Sequence, residues 1–565
     1  MSTILTKTYL ITSHTNKVEG FISKLIASNT SFEVLDAREL GEEWDSIQNY
    51  KPEKEFDEKE LELSEKILVN YQPKGFLNSF EDNRAVGSLA EILDAKSNSK
   101  VIKEIIHKLN EYLELETDEK GKGDATNAAL EDVKSFLKQH NIDPENFTKE
   151  NYKLIAAYHT SIELDIKLSH SLGKIFTTEE NSNICFAFVT VDQNSHSTFE
   201  TILNSDKITF EKIDWNREIV VWKNKGGLAA FQTVAQSLGT ISTKEVDPTI
   251  AISLFFSLFF AFCLNDAVYG LILSGFTGYF LYFRNLKPGF KNIFQLFFFS
   301  GLLTILLGAL TNSWAGDFFS QTPVNNVLQN FQLIDTLNVD STAPINVFLK
   351  NELKTSPIVF MLGLSGFIGI LSILSGYVLK ILNSLKSKDG DALKADTSWF
   401  LFILSILATT VTAALAPSLT NIGLISVLIF GISLFVFNSG KGIFGKVLGG
   451  LGSIYGLIGF FADVLSFTRL IAVGLTGGII ANVINLLAKL IYDSINVPII
   501  NLIAAIIVLL IGHSFNLVVS LFGAYINPLR LHYVEFMPKF FEGRGRSLQP
   551  VNAEFTFMKL ELKSK

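Results

Sequence analysis

The chain has 565 residues, 48% of them hydrophobic and 18% charged, with 48 Phe against 13 Pro. Residues 1–250 carry 28 Lys and Arg against 42 Asp and Glu, whereas the rest carries 20 against 14. So acidic a first half excludes a basic nucleic-acid interface there, and two distant cysteines, Cys185 and Cys263, provide neither a disulfide framework nor a cysteine metal site.

The opening stretch, MSTILTKTYLITSHTN, has no charged segment followed by an apolar one. It is not read as a cleavable signal, so the first half is expected in the cytoplasm. Residues 6–13 and 31–37 read as strands around a helix at 15–28. Residues 84–173 are largely helical and laced with charge, as in AEILDAKSNSKVIKEIIHKLNEYLELE. Such a stretch is either a solvated helical hairpin or a lever between two small α/β lobes. Further strands fall at 183–192, 207–213 and 217–224, with short helices at 196–205 and 228–238.

From about Pro248 onward, apolar segments long enough for a roughly 30 Å hydrocarbon core follow one another. Eight are read. Two share the run 249–283, folded into a tight hairpin by the interruption LNDAVYG at 264–270. The others lie near 291–310, 357–382, 398–416, 421–437, 450–491 and 499–527, and the seventh is long enough that it must tilt, bend or project. Arg284, Lys287 and Lys291, then Lys380, Lys386, Lys388 and Lys394, then Lys441 and Lys446 fall in alternate loops. The intervening short loops at 264–267, 417–420 and 492–498 have no Lys or Arg, and the longer one at 311–356 has Lys350 and Lys354 near its end. Cations on one side imply both termini in the cytoplasm. The predicted fold is an α-helical polytopic membrane domain of about eight transmembrane helices with an N-terminal cytoplasmic α/β domain containing long helical arms. Its boundaries are 1–245, 246–530 and a cytoplasmic tail, 531–565.

GKGIFGKV at 440–447 has the spacing of a phosphate loop. Val447 offers no hydroxyl for magnesium and no strand precedes it, so a glycine-rich loop between membrane helices explains it better. No cofactor, metal or ATP-hydrolysing site is expected in this chain.

The polar residues within the apolar half carry the chemistry. Arg469 sits mid-segment in DVLSFTRLIAVGLTGG, where a guanidinium costs roughly 2.5–3.5 kcal/mol and cannot shed its proton. Helical spacing puts Ser466, Val473 and Thr476 on its face, with Gly474 and Gly478 on the opposite, packing side. No acidic residue stands three or four positions away; Asp463, six before, is off the face and nearer the interface. In the last apolar segment His513, Asn516 and Ser520 form a second polar stripe, followed by Arg530 and Glu535. A buried cation without a partner on its own helix suggests a partner carboxylate from another chain, ionised while near the charge and ion-loaded away from it.

These residues resemble a family. YGLIGFFADVLSFTRLIAVGLTGGIIANVIN is similar to the seventh membrane helix of subunit I of V-type and A-type ATPases, called subunit a in eukaryotes. GHSFNLVVSLFGAYINPLRLHYVEFMPKFFEGRG is similar to its eighth helix and tail, and VDPTIAISLFFSLFFAFCLNDAVYGLIL to its first hairpin. The likeness covers about 248–547. There are departures: Leu264-Asn265-Asp266 where the family usually has Phe-Gly-Asp, Gly477 where some eukaryotic relatives carry histidine, and Ser520 where some carry glutamate.

The resemblance implies the membrane stator of a rotary ATPase in a prokaryotic cytoplasmic membrane. Arg469 and Arg530 would be its ion-translocating arginines, with Ser466, Thr476, His513, Asn516, Ser520, Glu535 and Asp463 as half-channel lining. Its partners would be a rotor ring of proteolipid subunits, peripheral-stalk subunits, a central-stalk adaptor at the membrane and the lipid bilayer. The competing reading is an ion-coupled secondary transporter with a cytoplasmic regulatory domain, for which paired broken helices in repeated halves would be expected.

Overall fold

A computed structural model of the chain describes residues 3–27, 30–36, 48–49, 58–73, 77–117, 124–178, 181–213, 219–222, 224, 226–319, 328, 331–336, 341, 343–353, 355–415, 420–437, 442–494, 498–551 and 555–560. Lys441, Lys354 and the short loops at 417–419 and 495–497 lie outside these residues, as does the start of the glycine-rich segment, 440–441. The chain divides into two units, one of residues 3–223 with 546–565, the other of residues 1–2 with 224–545.

In the first unit, strand β1 (Thr3–His14) leads into helix α1 (Thr15–Ala27) and β2 (Phe32–Leu35). Then come β3 (Gln48–Asn49), α2 (Glu58–Asn70), β4 (Ala85–Gly87) and four helices: α3 (Leu89–Ser97), α4 (Ser99–Thr117), α5 (Asp124–Gln139) and α6 (Lys149–Leu172). The chain returns through β5 (Phe176–Thr178), β6 (Asn181–Asp192), α7 (His196–Ser205), β7 (Thr209–Ile213) and β8 (Ile219–Trp222). Strands from both ends of this half join one sheet, in the order β3-β5-β6-β1-β8, with β2 on β6 and β7 on β1. The alternation of β6 explains its two faces. Ala187, Val189 and Val191 pack with Phe21, Leu25 and Phe199 of the flanking helices, while Phe186 and Phe188 pack with Leu35 and Phe176 on the other side.

The charged stretch 84–173 buries an apolar stripe. Ile102, Ile105, Ile106, Leu109, Tyr112 and Leu113 recur at helical spacing along α4 and pack with Ile155 and Tyr158 of α6. Ser88 starts α3 through a reciprocal capping pair with Glu91. The C-terminal residues complete this unit. Strand β9 (Arg546–Ser547) runs parallel to β8, and β10 (Met558–Leu560) runs parallel to β4, carrying Phe557 and Met558 into the helical core.

The second unit is helical. It contains α8 (Gly227–Gln236), α9 (Thr249–Leu264), α10 (Ala267–Phe283), α11 (Pro288–Leu310), α12 (Pro357–Ser387), α13 (Gly390–Leu415) and α14 (Thr420–Val436). It ends with α15 (Gly442–Ser466), α16 (Thr468–Ser494) and α17 (Pro498–Leu531). Among the described residues, five helical stretches are long and apolar enough to cross a membrane: 288–310, 357–387, 390–410, 455–494 and 499–539. Three shorter apolar helices, 249–264, 267–283 and 420–436, account for the other apolar segments.

Two details depart from the sequence-based picture. Helices α9 and α10 are not a tight hairpin; α10 lies along α11, and α11 is the helix set against α9. Asn265 in the left-handed region and Asp266 in extended geometry turn the chain, and Asp266 caps α10 through the Val268 and Tyr269 amides. Glycines then bring α11 close: a Cβ on Gly308 would overlap the Ala267 backbone, and one on Gly301 would stand 3.3 Å from the Ser274 nitrogen. The seventh segment bends by breaking. Phe467 separates α15 from α16, and its amide bonds back to the Val464 carbonyl, three residues away, at 3.2 Å.

Candidate functional site

The break at Phe467 places Arg469 in the first turn of α16. The hydroxyls of Ser466 and Thr468 cover carbonyls at the break, reaching Ala462 at 3.2 Å and Leu465 at 2.7 Å. Beyond it, Leu470, Ile471, Gly474, Gly477, Gly478 and Ala481 form the buried side of α16. Thr476 is on the exposed side, its hydroxyl turned back to the Ala472 carbonyl at 2.7 Å. Arg469 is partly exposed, but its Nη1 is buried without a hydrogen-bond partner among the described residues.

Helices α16 and α17 pack along each other, which brings their polar residues together in two groups. In the first, Asn485 Nδ2 donates to Asp317 Oδ1 at 2.8 Å and to the Ala315 carbonyl at 2.9 Å. Its Oδ1 is therefore the acceptor, and His513 Nε2 donates to it at 3.0 Å. His513 Nδ1 then accepts from the Tyr269 hydroxyl at 2.8 Å. Tyr269 in turn accepts from Asn516 Nδ2 at 3.0 Å, which also donates to the Gly477 carbonyl, and Ser520 donates to Asn516 Oδ1 at 3.3 Å. Every donor in this chain points the same way, from buried Ser520 to exposed Asp317.

The second group lies beyond Arg469. Asp463 pairs with Lys539 at 2.5 Å. Glu535, 3% exposed, lies near Ser466 and in the field of Asp463, Arg469 and Arg530, and its Oε2 has no partner among the described residues. Arg530 is exposed in the last turn of α17, just past Pro528, whose carbonyl accepts from His532 Nδ1 at 2.8 Å. Between the groups the two helices meet through apolar contact, where a Cβ on Gly523 would stand 3.3 Å from Val473.

Of the residues singled out from the sequence, His513, Asn516 and Ser520 fall in the first group, Asp463, Ser466, Glu535 and Arg530 in the second, and Arg469 between them. Thr476 joins neither. Tyr269, Asn485 and Asp317 were not singled out. Asn485 was visible as a polar residue within the seventh apolar segment, sixteen positions after Arg469. Gly477 and Ser520 face each other: a Cβ on Gly477 would stand 3.0 Å from Ser520 Oγ.

No family model matches the chain. It is 31% identical over 357 residues to the A-type ATP synthase subunit I of Methanocaldococcus jannaschii, covering 60% of this chain and 50% of that one. Against the A-type ATP synthase subunit I of Pyrococcus horikoshii it is 30% identical over 349 residues, 60% and 48% of the two chains. Against the V-type ATP synthase subunit I of Borreliella burgdorferi it is 29% identical over 327 residues, 56% and 50%. The chain spans about half the length of the curated relatives it matches. It is thus a membrane-protein relative of subunit I of the A-type and V-type ATP synthases.

Proposed function

We propose that this relative of subunit I is the membrane stator of a rotary ATPase and carries no catalytic step of its own. All eight apolar segments cross the membrane, with both termini in the cytoplasm. The first unit engages the peripheral stalks, and the central-stalk adaptor meets the complex at the membrane. The membrane unit conducts protons or sodium ions past a rotor ring of carboxylate-bearing subunits.

The observation that carries this reading is the buried Nη1 of Arg469, unpartnered among the described residues, with a polar group on either side of it and no hydrogen bond joining the two groups among those residues. A ring carboxylate beside Arg469 would be held ionised, because an opposite charge at that distance favours the charged form. Moving off, it would load an ion from one polar group or release one to the other. The Asp317–Ser520 chain is one half-channel and the Asp463–Glu535 group is the other, each ending short of Arg469. Arg530, which shares the field at Glu535, assists at the inner mouth. The close approach of Val473 to Gly523 narrows the direct path between them.

Arg469→Ala in the assembled complex tests the proposal. ATP-driven ion transport should fall to background while the amount of complex holds. Unaltered ion-coupled ATPase activity would overturn it.

A further inference from the structure

Arg469 needs a fixed height, since a displaced charge would meet a ring carboxylate at the wrong point. Phe467, at the break and fully buried, seats on α12 at Gly369, where a Cβ would stand 2.8 Å from Phe467 Cβ and closer still to its ring. The same ring packs on Phe259 of α9 at 5.3 Å. Five residues after Arg469, Gly474 presses on α9 so closely that a Cβ would overlap the Phe262 carbonyl and stand 3.2 Å from Asn265 Cβ. The backbone bearing the guanidinium is therefore clamped on both sides.

Helix α12 offers a second seat one heptad on. Ser365, Gly369, Ser372 and Gly376 form a buried face of small residues. Phe536, next to Glu535, rests on Gly376, but more loosely, since a Cβ there would meet its ring at 3.4 Å, ordinary contact. One face of α12 thus seats Phe467, two residues before Arg469, and Phe536, next to Glu535.

We propose that Gly369 and Phe467 are positioning residues that set the height and direction of Arg469, an inference resting on the stator reading above. The notch admits the ring only because position 369 has no side chain. A methyl there forces the break to move, and displacement of a reacting group by an ångström costs up to about a hundredfold in rate.

The test uses the assembled complex in membrane vesicles, reading ATP-driven ion transport, ATP hydrolysis and amount of complex. Gly369→Ala should lower transport per complex at least tenfold and reduce ions moved per ATP. Phe467→Leu, which leaves a gap rather than a clash, should do the same more mildly. Pairing Gly369→Ala with Phe467→Ala removes the ring atoms Cγ and Cδ2, which the methyl would meet most closely, and leaves only Cβ at 2.8 Å, so transport should recover to within about threefold of the Phe467→Ala single variant. Gly376→Ala should be near neutral. Three results overturn the proposal: wild-type transport in Gly369→Ala, a loss that follows the amount of complex with ions per ATP unchanged, or failure of both single variants to assemble. Arg469→Ala runs in parallel. Normal transport in that variant would sink the stator reading itself, whereas its loss alongside a wild-type Gly369→Ala would sink only the positioning role.

Discussion

The Tyr269 hydroxyl donates to His513 Nδ1 at 2.8 Å across 244 residues of sequence, tying the first turn of α10 to the middle of α17. It is also the acceptor for Asn516, so one phenol joins the outer part of the polar chain, Asp317–Asn485–His513, to the inner part, Asn516–Ser520. Among the described residues, the hydrogen bonds of His513 and Asn516 join the two parts only through this phenol.

Tyr269→Phe should therefore divide the chain while leaving the packing shape in place. Buried Asn516 and half-buried His513 each lose a partner, which costs about 1–3 kcal/mol for a buried group and less where water reaches. In the assembled complex, ion transport should fall about tenfold with the amount of complex near wild type. His513→Ala should do the same. Because both act on one link, the double variant should be no worse than the more severe single one. Additive losses in transport would show that the two residues act separately.

At the exposed end of the chain lies the Asp317 carboxylate, which on the proposed half-channel reading is where an ion would enter or leave. Asp317→Asn keeps the size and removes the charge. A nearby negative charge raises the local cation concentration, and salt screens that effect within about 10 Å at 0.1 M. The variant should need a severalfold higher ion concentration for half-maximal transport at low ionic strength, with the maximal rate preserved. At high salt the difference should shrink. An unchanged half-saturating concentration at low salt would exclude Asp317 from the ion's path.

Much of this arrangement was legible in the sequence because it follows helical spacing. His513, Asn516 and Ser520 repeat at three and four, and they do share one network. Arg469 stood out through burial cost alone. What was not legible is what depends on a partner from a distant segment. Tyr269 begins an apolar helix whose pattern gives no hint that α17 lies against its first turn. The break at Phe467 has neither Pro nor Gly in it; it comes from hydroxyls on either side and a notch on α12. The 264–270 interruption was visible as a turn, but its direction is set by Asn265, Asp266 and the glycines of α11, which local periodicity does not encode.

The C-terminal residues also close a distant contact. Arg546 donates to Glu33 Oε1 at 2.7 Å, and Gln549 donates its amide to Oε2 at 2.9 Å, around a carboxylate only 2% exposed. Arg546→Met leaves that buried charge short of its cation, a change that typically costs 3–5 kcal/mol. Thermal unfolding of the first unit, followed by protease sensitivity around β2 and β9, should shift clearly downward. Adding Glu33→Gln should recover part of the loss, since no charge is then stranded. A single variant as stable as wild type would mean that the pair contributes nothing.

His159 gives the helical part of the first unit a pH dependence. The ring is 3% exposed, its Nδ1 has no partner among the described residues, and Phe557 meets it edge-on at 4.9 Å. Burial holds its pKa below the ordinary histidine value, against the opposing pull of Glu163, 4.0 Å away, and of Glu65. The fold therefore favours the neutral ring, whereas the unfolded chain takes up a proton near pH 6.5. Its contribution is complete above that pH and drains away as the pH falls toward the lowered folded value. Carboxylates held low by partners, such as Asp82 beside Arg84, lose their contribution only at more acid pH, so the two effects separate. Hydrogen exchange of the α4 and α6 amides should speed up between pH 7.5 and 5.5, after correction for the intrinsic rate. His159→Leu, which fills the site without a titrating group, should flatten that change. If wild type and variant lose protection in parallel over this range, the histidine is not the cause.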